Sequence, residues 1–197
     1  MTSPFDALGD ASTLGGVAVG AVVATVGSFA ASWWERRMLR REREADAALV
    51  LGELLRTIWI HIAVVRAAHA RGDPFGPITI RMTRNVRREV EFYDRNRERL
   101  FHVRDATLRP QTGALMARLT FALERVLDNT DALAAQPAEA ERAELTRGRD
   151  QAFEFLVESA DELPGLVDRF ASIADTRFAD FDLESIGFAP PSAGENG

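Results

Sequence analysis

Residues 14–34 form 21 consecutive positions without a charge, LGGVAVGAVVATVGSFAASWW, and the chain after them places apolar residues at helical spacing. At ~1.5 Å per helical residue, such a run matches the hydrocarbon core of a bilayer. The pattern predicts one transmembrane helix over 13–34, with a short extracytoplasmic N-terminus over 1–12. Downstream, Ala48, Leu51, Leu55, Ile58, Ile62 and Val65 alternate spacings of three and four, an a/d seam on a long juxtamembrane helix. Leu54 and Trp59 widen that face beyond a strict coiled coil, which predicts bundle packing.

Further helices follow from the same periodicity. Gly72, Asp73 and Pro74 end the first, and Pro77 suits the first turn of the next. Met82, Val86, Val90 and Tyr93 mark its inner face. A break is expected from Asn96 to Asp105, then a helix from about Leu108, with Pro110 tolerated in its first turn. Leu115, Leu119, Ala122, Val126 and Leu133 would line its inner side. Pro137 opens another helix carrying Leu145, Ala152, Leu156 and Ala160. Pro164 restarts the chain for Leu166, Val167, Phe170 and Ile173. No strand alternation is present. The expected fold class is therefore all-α, with an N-terminal transmembrane helix and a cytoplasmic antiparallel helical bundle over 35–179. A disordered acidic tail is expected over 180–197. Within 178–188 aromatics alternate with acids, which suits either a peptide ligand or a last turn packing Phe178 and Phe181 on the bundle.

The flanks of the apolar run set its orientation. Trp33 and Trp34 close it where an interfacial aromatic belt would lie, and Arg36, Arg37, Arg40, Arg41 and Arg43 follow at once. The other flank holds only Asp6 and Asp10. Positive-inside bias puts the N-terminus outside and the bundle in the cytoplasm of a bacterial inner (plasma) membrane. A cleavable signal peptide needs a basic start, which this chain lacks. A core helix of a soluble protein is the other reading of the run. The arginines are expected to meet anionic headgroups. Gly16, Gly20, Ala24, Ser28 and Ser32 recur every fourth residue, a small-residue face on which two such helices could associate as a homo-oligomer.

Composition narrows the chemistry. The chain has no cysteine, which excludes disulfides, zinc–thiolate sites and thiol catalysis. All 24 basic residues are arginine. Residues 35–130 carry 19 Arg against 13 acids, and residues 131–197 carry 5 against 15. With a net charge of −6, general nucleic-acid binding is not expected. His61 and His69 lie eight residues apart, out of line on a helix, so they do not read as metal ligands. His102 stands alone. The densest polar cluster joins Tyr93, Asp94, Asn96, Arg97, Glu98 and Arg99, with Asp105 nearby, and reads as a salt-bridge network. No hydrolase triad, phosphate loop or di-iron pattern is present, so neither a catalytic residue nor a cofactor is expected.

Phe92, Tyr93, Asn96, Leu100 and Leu108, within 92–119, resemble a segment of membrane-anchored bacterial helical-bundle proteins of unassigned function. The resemblance implies the same layout, a span followed by a bundle, and brings no activity or site residue with it.

Two functional classes fit these features. One is a non-enzymatic single-pass membrane-anchored scaffold or adaptor whose bundle binds a protein partner. The other is an oligomerising membrane effector that perturbs the bilayer on a signal sensed by the bundle.

Overall fold

A computed structural model describes the backbone of residues 4–178 and the side chains of residue 25 and residues 27–178. The tail expected over 180–197 lies wholly outside these limits and the N-terminal segment expected over 1–12 partly so, and the side chains of Gly16, Gly20 and Ala24 are outside the described ones. Among the described residues the chain is all-helical and contains no strand. The order is α1 (Pro4–Ala70), α2 (Pro77–Asn96), a 3₁₀ turn (Arg97–His102), α3 (Leu108–Ala134), α4 (Glu139–Ala160) and α5 (Leu163–Ile173). Two compact units, Met1–Arg43 and Glu44–Gly197, divide the chain, and α1 contributes to both.

In the second unit the seam of α1 is the spine of the core. Ala48, Leu51, Leu55, Ile58, Ile62 and Val65 are all buried, and Trp59 packs against them from the side. Val86, Val90 and Tyr93 of α2 join them, with Leu115, Leu119, Ala122 and Val126 of α3, Ala152, Phe153 and Leu156 of α4, and Leu166 and Phe170 of α5. Phe178 packs on the same core, and its ring occupies the space that a Cβ on Gly52 would need. The buried threonine hydroxyls are satisfied locally, whereas the buried Ser159 Oγ has no hydrogen-bond partner among the described residues. Thr83 and Thr112 each donate to the carbonyl four residues back, at 2.8 Å, and Thr79 donates to the Asp73 carbonyl at 2.6 Å.

Two aspartates start two helices. The Asp73 carboxylate accepts the Ile78 and Thr79 N–H groups at 3.1 and 3.3 Å, supplying the acceptor that the N-cap Gly76 lacks. A Cβ on Gly76 would collide with that carboxylate, so a larger residue here would displace the Asp73 side chain from the helix start. Asp105 Oδ1 accepts the Thr107 hydroxyl at 2.7 Å and the Thr107 and Leu108 N–H groups at 2.9 and 3.0 Å. Pro110 then costs nothing, because a first-turn residue has no intrahelical acceptor for its N–H.

The α1–α2 connection is held by aromatic packing. Phe75 adopts φ 58°, a left-handed conformation that costs a bulky residue energy. Its ring meets His69 edge-on at 5.1 Å and Phe153 edge-on at 5.4 Å, while His69 stacks on Phe153 at 4.2 Å. Arg149 lies over the Phe75 ring at 3.7 Å. These contacts hold the backbone in its unfavourable region.

In the first unit the described side chains, Thr25 and those from Gly27 to Arg43, are exposed. Ser28 and Ser32 turn their hydroxyls onto carbonyls of their own helix, at 3.0 Å to Thr25 and 2.8 Å to Ser28.

Among the described residues, one helix is long and apolar enough to cross a membrane by length and composition. Within Gly27–Ala70 its most apolar eighteen-residue window has a mean hydropathy of 1.8 and is 50% buried. Charge density confines a window of that length with no more than two charges to residues 47–65, around Glu53 and Arg56. That stretch is the core seam itself, so it is committed to the bundle. The run read from the sequence, 14–34, is a different stretch of the same helix. Its described members, including Phe29, Trp33 and Trp34, are exposed.

Candidate functional site

The interface belt follows from helical spacing. Positions four apart share a face, so Arg37 reaches back over Trp33, with its guanidinium carbon 5.3 Å from the ring centroid. Trp34, Arg37, Met38 and Arg41 line the adjacent strip, a shallow depression of about 180 Å³. Trp33 and Trp34 are 53% and 63% exposed and present apolar surface beside these arginines. Among the described residues, none of Arg36, Arg37, Arg40, Arg41 and Arg43 forms an ion pair, whereas Arg66, Arg99, Arg104, Arg118 and Arg169 of the second unit do. Unpaired guanidinium groups beside exposed indoles can serve phosphate-bearing headgroups.

The polar cluster expected around Tyr93 separates into distinct parts. Tyr93 is buried in the core, and burial, reinforced by Asp94 and opposed by Arg97, pushes its phenol up to about 12. Arg99 leaves the cluster to pair with Asp46 of α1 at 3.2 Å. Arg104 does the same with Glu44, by its guanidinium at 3.2 Å and its N–H at 2.8 Å. Asp105 faces the other way. Its second oxygen accepts Arg169 Nη2 at 2.7 Å, and Arg169 also reaches Thr107 at 2.8 Å and Gln111. The Thr107 hydroxyl, then Arg169, then the Leu108 and Thr107 N–H groups hold the Asp105 carboxyl well below the usual carboxylate range. This is a structural lock on a helix start, and its acceptors are already used.

A second lock joins α3 to the start of α5. Arg118 forks onto Glu162 at 2.7 and 2.6 Å, which raises the guanidinium's affinity for its proton and lowers that of the carboxyl. Between α3 and α4 lies a depression of about 250 Å³ lined by Arg125, Asn129, Glu141, Glu144, Leu145 and Gly148. Its lining carries charges of both signs, Arg125 against Glu141 and Glu144.

The histidines fall in three environments. His69 is part of the aromatic stack, His102 is exposed in the 3₁₀ turn, and His61 keeps a buried Nδ1 without a hydrogen-bond partner. Among the described residues, no group of three His, Cys, Asp or Glu side chains could hold a metal ion.

No family model, curated protein or solved structure matches this chain. The site must therefore be argued from its own residues. Sequence reading singles out the Trp–Arg belt and the small-residue face. Of that face, Ser28 and Ser32 are described and exposed, and Gly16, Gly20 and Ala24 lie outside the described side chains. It misses Arg169 and Glu162, whose partners are far away in the chain, and it places Phe178 on the bundle without indicating Gly52 as its neighbour. The one local signal was Asp105, two residues before Thr107 and three before the first helical residue, an Asx-type helix start.

Proposed function

We propose that this chain is a non-enzymatic, single-pass membrane-anchored interaction protein: α1 anchors it in a bacterial plasma membrane, and an antiparallel cytoplasmic bundle receives a protein partner. The observation that carries the anchor is the exposed, charge-free surface around Phe29, Trp33 and Trp34, followed directly by five arginines without ion pairs among the described residues. The antiparallel reading is supported by the order of contacts between α3 and the chain after it. Arg118 meets Glu162, while Asn129, eleven residues later, faces Gly148. The layout agrees with the helical-bundle proteins that residues 92–119 resemble.

The anchor is tested by alkaline carbonate extraction of membranes from expressing cells, together with a reporter fused at Gly197. Resistance to extraction and a cytoplasmic signal support the reading. Release into the supernatant, or an extracytoplasmic signal, overturns it. Gentle detergent purification of the full chain then separates adaptor from effector. A stoichiometric foreign subunit fits the adaptor.

The effector reading draws on a separate observation. Ser28 and Ser32 are small, exposed and self-satisfied, so the face they share with Gly16, Gly20 and Ala24 allows close backbone approach. On that reading, Gly20→Ile abolishes homo-oligomers and any membrane depolarisation on expression.

A further inference from the structure

We propose that the outer face of α3 is a homodimer interface: α3 packs antiparallel on α3 of a second copy of this chain, and Phe121 of each copy fills the gap between Pro110, Gly113, Ala114 and Ala117 of the other. The face lies wholly in the second unit, so it stands or falls independently of the anchor.

A single exposed phenylalanine is ordinary on a water-soluble surface. Phe121 differs in what shares its face. It is 60% exposed, and Pro110, Gly113, Ala114 and Ala117, set at helical spacing before it, are exposed as well. From Pro110 to Phe121 that face carries no charge, a length of about three turns. Gly113 has no use within the chain. Gly52 and Gly148 each pack a side chain where their Cβ would stand, but a Cβ on Gly113 would meet nothing within 4 Å. A glycine inside a helix costs about 1 kcal/mol relative to alanine, so the gap it opens needs an occupant from outside.

The occupant is already on the same face. Positions i, i+3, i+4 and i+7 of one helix form the hole that a facing side chain enters, and Pro110, Gly113, Ala114 and Ala117 have that spacing. A two-fold axis at Ala117 sets the residue four places beyond it opposite the residue four places before it in the other copy. Phe121 therefore comes to the level of Gly113, over the hole, and symmetry makes the contact twice. Ala117 meets its own image, where a small side chain lets the two helices approach closely.

Charge fits the same axis. Arg109 and Glu124 bracket the face and have no ion pair among the described residues. At about 100° per residue they lie about 80° and 20° to the same side of Ala117. In an antiparallel two-fold pair equal flanks meet, so Arg109 of one copy comes within one residue of the level of Glu124 of the other. Arg109 and Arg125 share a level but lie on opposite flanks. Arg118 approaches its own image, and each brings Glu162 with it at 2.6 Å.

The absence of cysteine allows a direct test on the full chain in mild detergent. Ala117→Cys and, as a reference, Asp128→Cys are oxidised and the products separated by mass. Position 128 shares the exposed face, but the antiparallel axis holds its two copies roughly 33 Å apart along the helix. The expected result is a disulfide-linked dimer at 117 and none at 128. Cross-linking at both positions, as a parallel pair gives, or at neither, overturns the interface. In the Ala117→Cys background, Gly113→Leu fills the hole without touching the rest of its own chain. It should abolish the dimer and leave thermal stability undiminished, and an unchanged dimer overturns the role of the hole. Arg109→Glu should reduce the product and adding Glu124→Arg should restore it; no recovery in the double variant overturns the paired register. Gly20→Ile should leave the 117 product intact, and its loss there assigns the association to α1 instead.

Discussion

Arg169 Nη2 lies 2.7 Å from Asp105 Oδ2, joining α5 to the turn that starts α3, 64 residues earlier in the chain. The aspartate thus serves two elements at once, accepting N–H groups of one helix start and the guanidinium of another helix. Its depressed pKa gives the sign of a pH effect. A carboxyl whose folded pKa lies below its unfolded value stabilises the fold above the unfolded pKa. That contribution is lost as pH falls below about 4. Asp105→Asn should therefore lower the melting temperature at neutral pH, with the gap to the parent protein narrowing on acidification. Thermal melts across that range check it, and a gap independent of pH would refute the linkage.

Gly52 and Phe178 form a second long-range pair. A helical glycine replaced by alanine ordinarily gains up to about 1 kcal/mol. Here the new Cβ overlaps the Phe178 ring and approaches the Phe170 Cβ to 3.1 Å. Gly52→Ala should therefore destabilise the chain or expel Phe178. In a Phe178→Ala background most of that penalty should vanish, a coupling of about 0.5–3 kcal/mol in a double-mutant cycle. Additive effects would mean that Phe178 does not rest on Gly52 in solution.

The seam of α1 makes a contrast within six residues. Leu55 is fully buried, while Leu49 is 42% exposed. Leu55→Ala should cost about 2–5 kcal/mol in chemical denaturation, and Leu49→Ala a small fraction of that. Similar losses at both positions would indicate that Leu49 also has a buried partner.

Tyr93 is the one tyrosine of the chain, so its ionisation can be read by ultraviolet absorbance without overlap from another phenol. Burial raises its folded pKa to about 12 from 10.0. The neutral phenol therefore stabilises the fold fully below the unfolded value, and the contribution is lost as pH rises through the folded one. The titration midpoint of the native protein should lie near 12, well above that of the urea-unfolded chain. Tyr93→Phe should flatten the alkaline fall in stability. Coincident midpoints in the native and unfolded states would place the phenol in water.

Much of this fold is legible in single helices. The spacing of Ala48, Leu51, Leu55, Ile58, Ile62 and Val65 reports a buried stripe, because one face of a helix repeats every three to four residues. Pro77 marks the start of α2, and the break before Leu108 marks the start of α3. The polar cluster around Tyr93 is the instructive failure. Adjacent charges in sequence look like one network, yet Arg99 and Asp105 are drawn to opposite partners, Asp46 and Arg169. Local order cannot show which distant carboxylate or guanidinium group folding will bring near.

The candidate site divides along the same line. The Trp33–Arg43 belt is local, a matter of which residues succeed one another on one helix, so it can be read before any packing is known. The placement of the 3₁₀ turn Arg97–His102 cannot, because it depends on two ion pairs, Arg99–Asp46 and Arg104–Glu44, that bridge more than fifty residues.

The sequence by itself determined the all-helical character, the inner face of each helix and the abrupt change from an uncharged run to an arginine-rich one. These are periodic or compositional properties, carried by neighbours in the chain. Only the tertiary structure decided which surfaces cover residues 47–65, the most apolar stretch of Gly27–Ala70: those of α2, α3, α4 and α5. It alone decided that Phe178 closes over Gly52 and that Asp105 is locked by Arg169. Hydropathy records how strongly a segment avoids water. Whether protein or lipid replaces the water depends on which surfaces the rest of the chain brings against it.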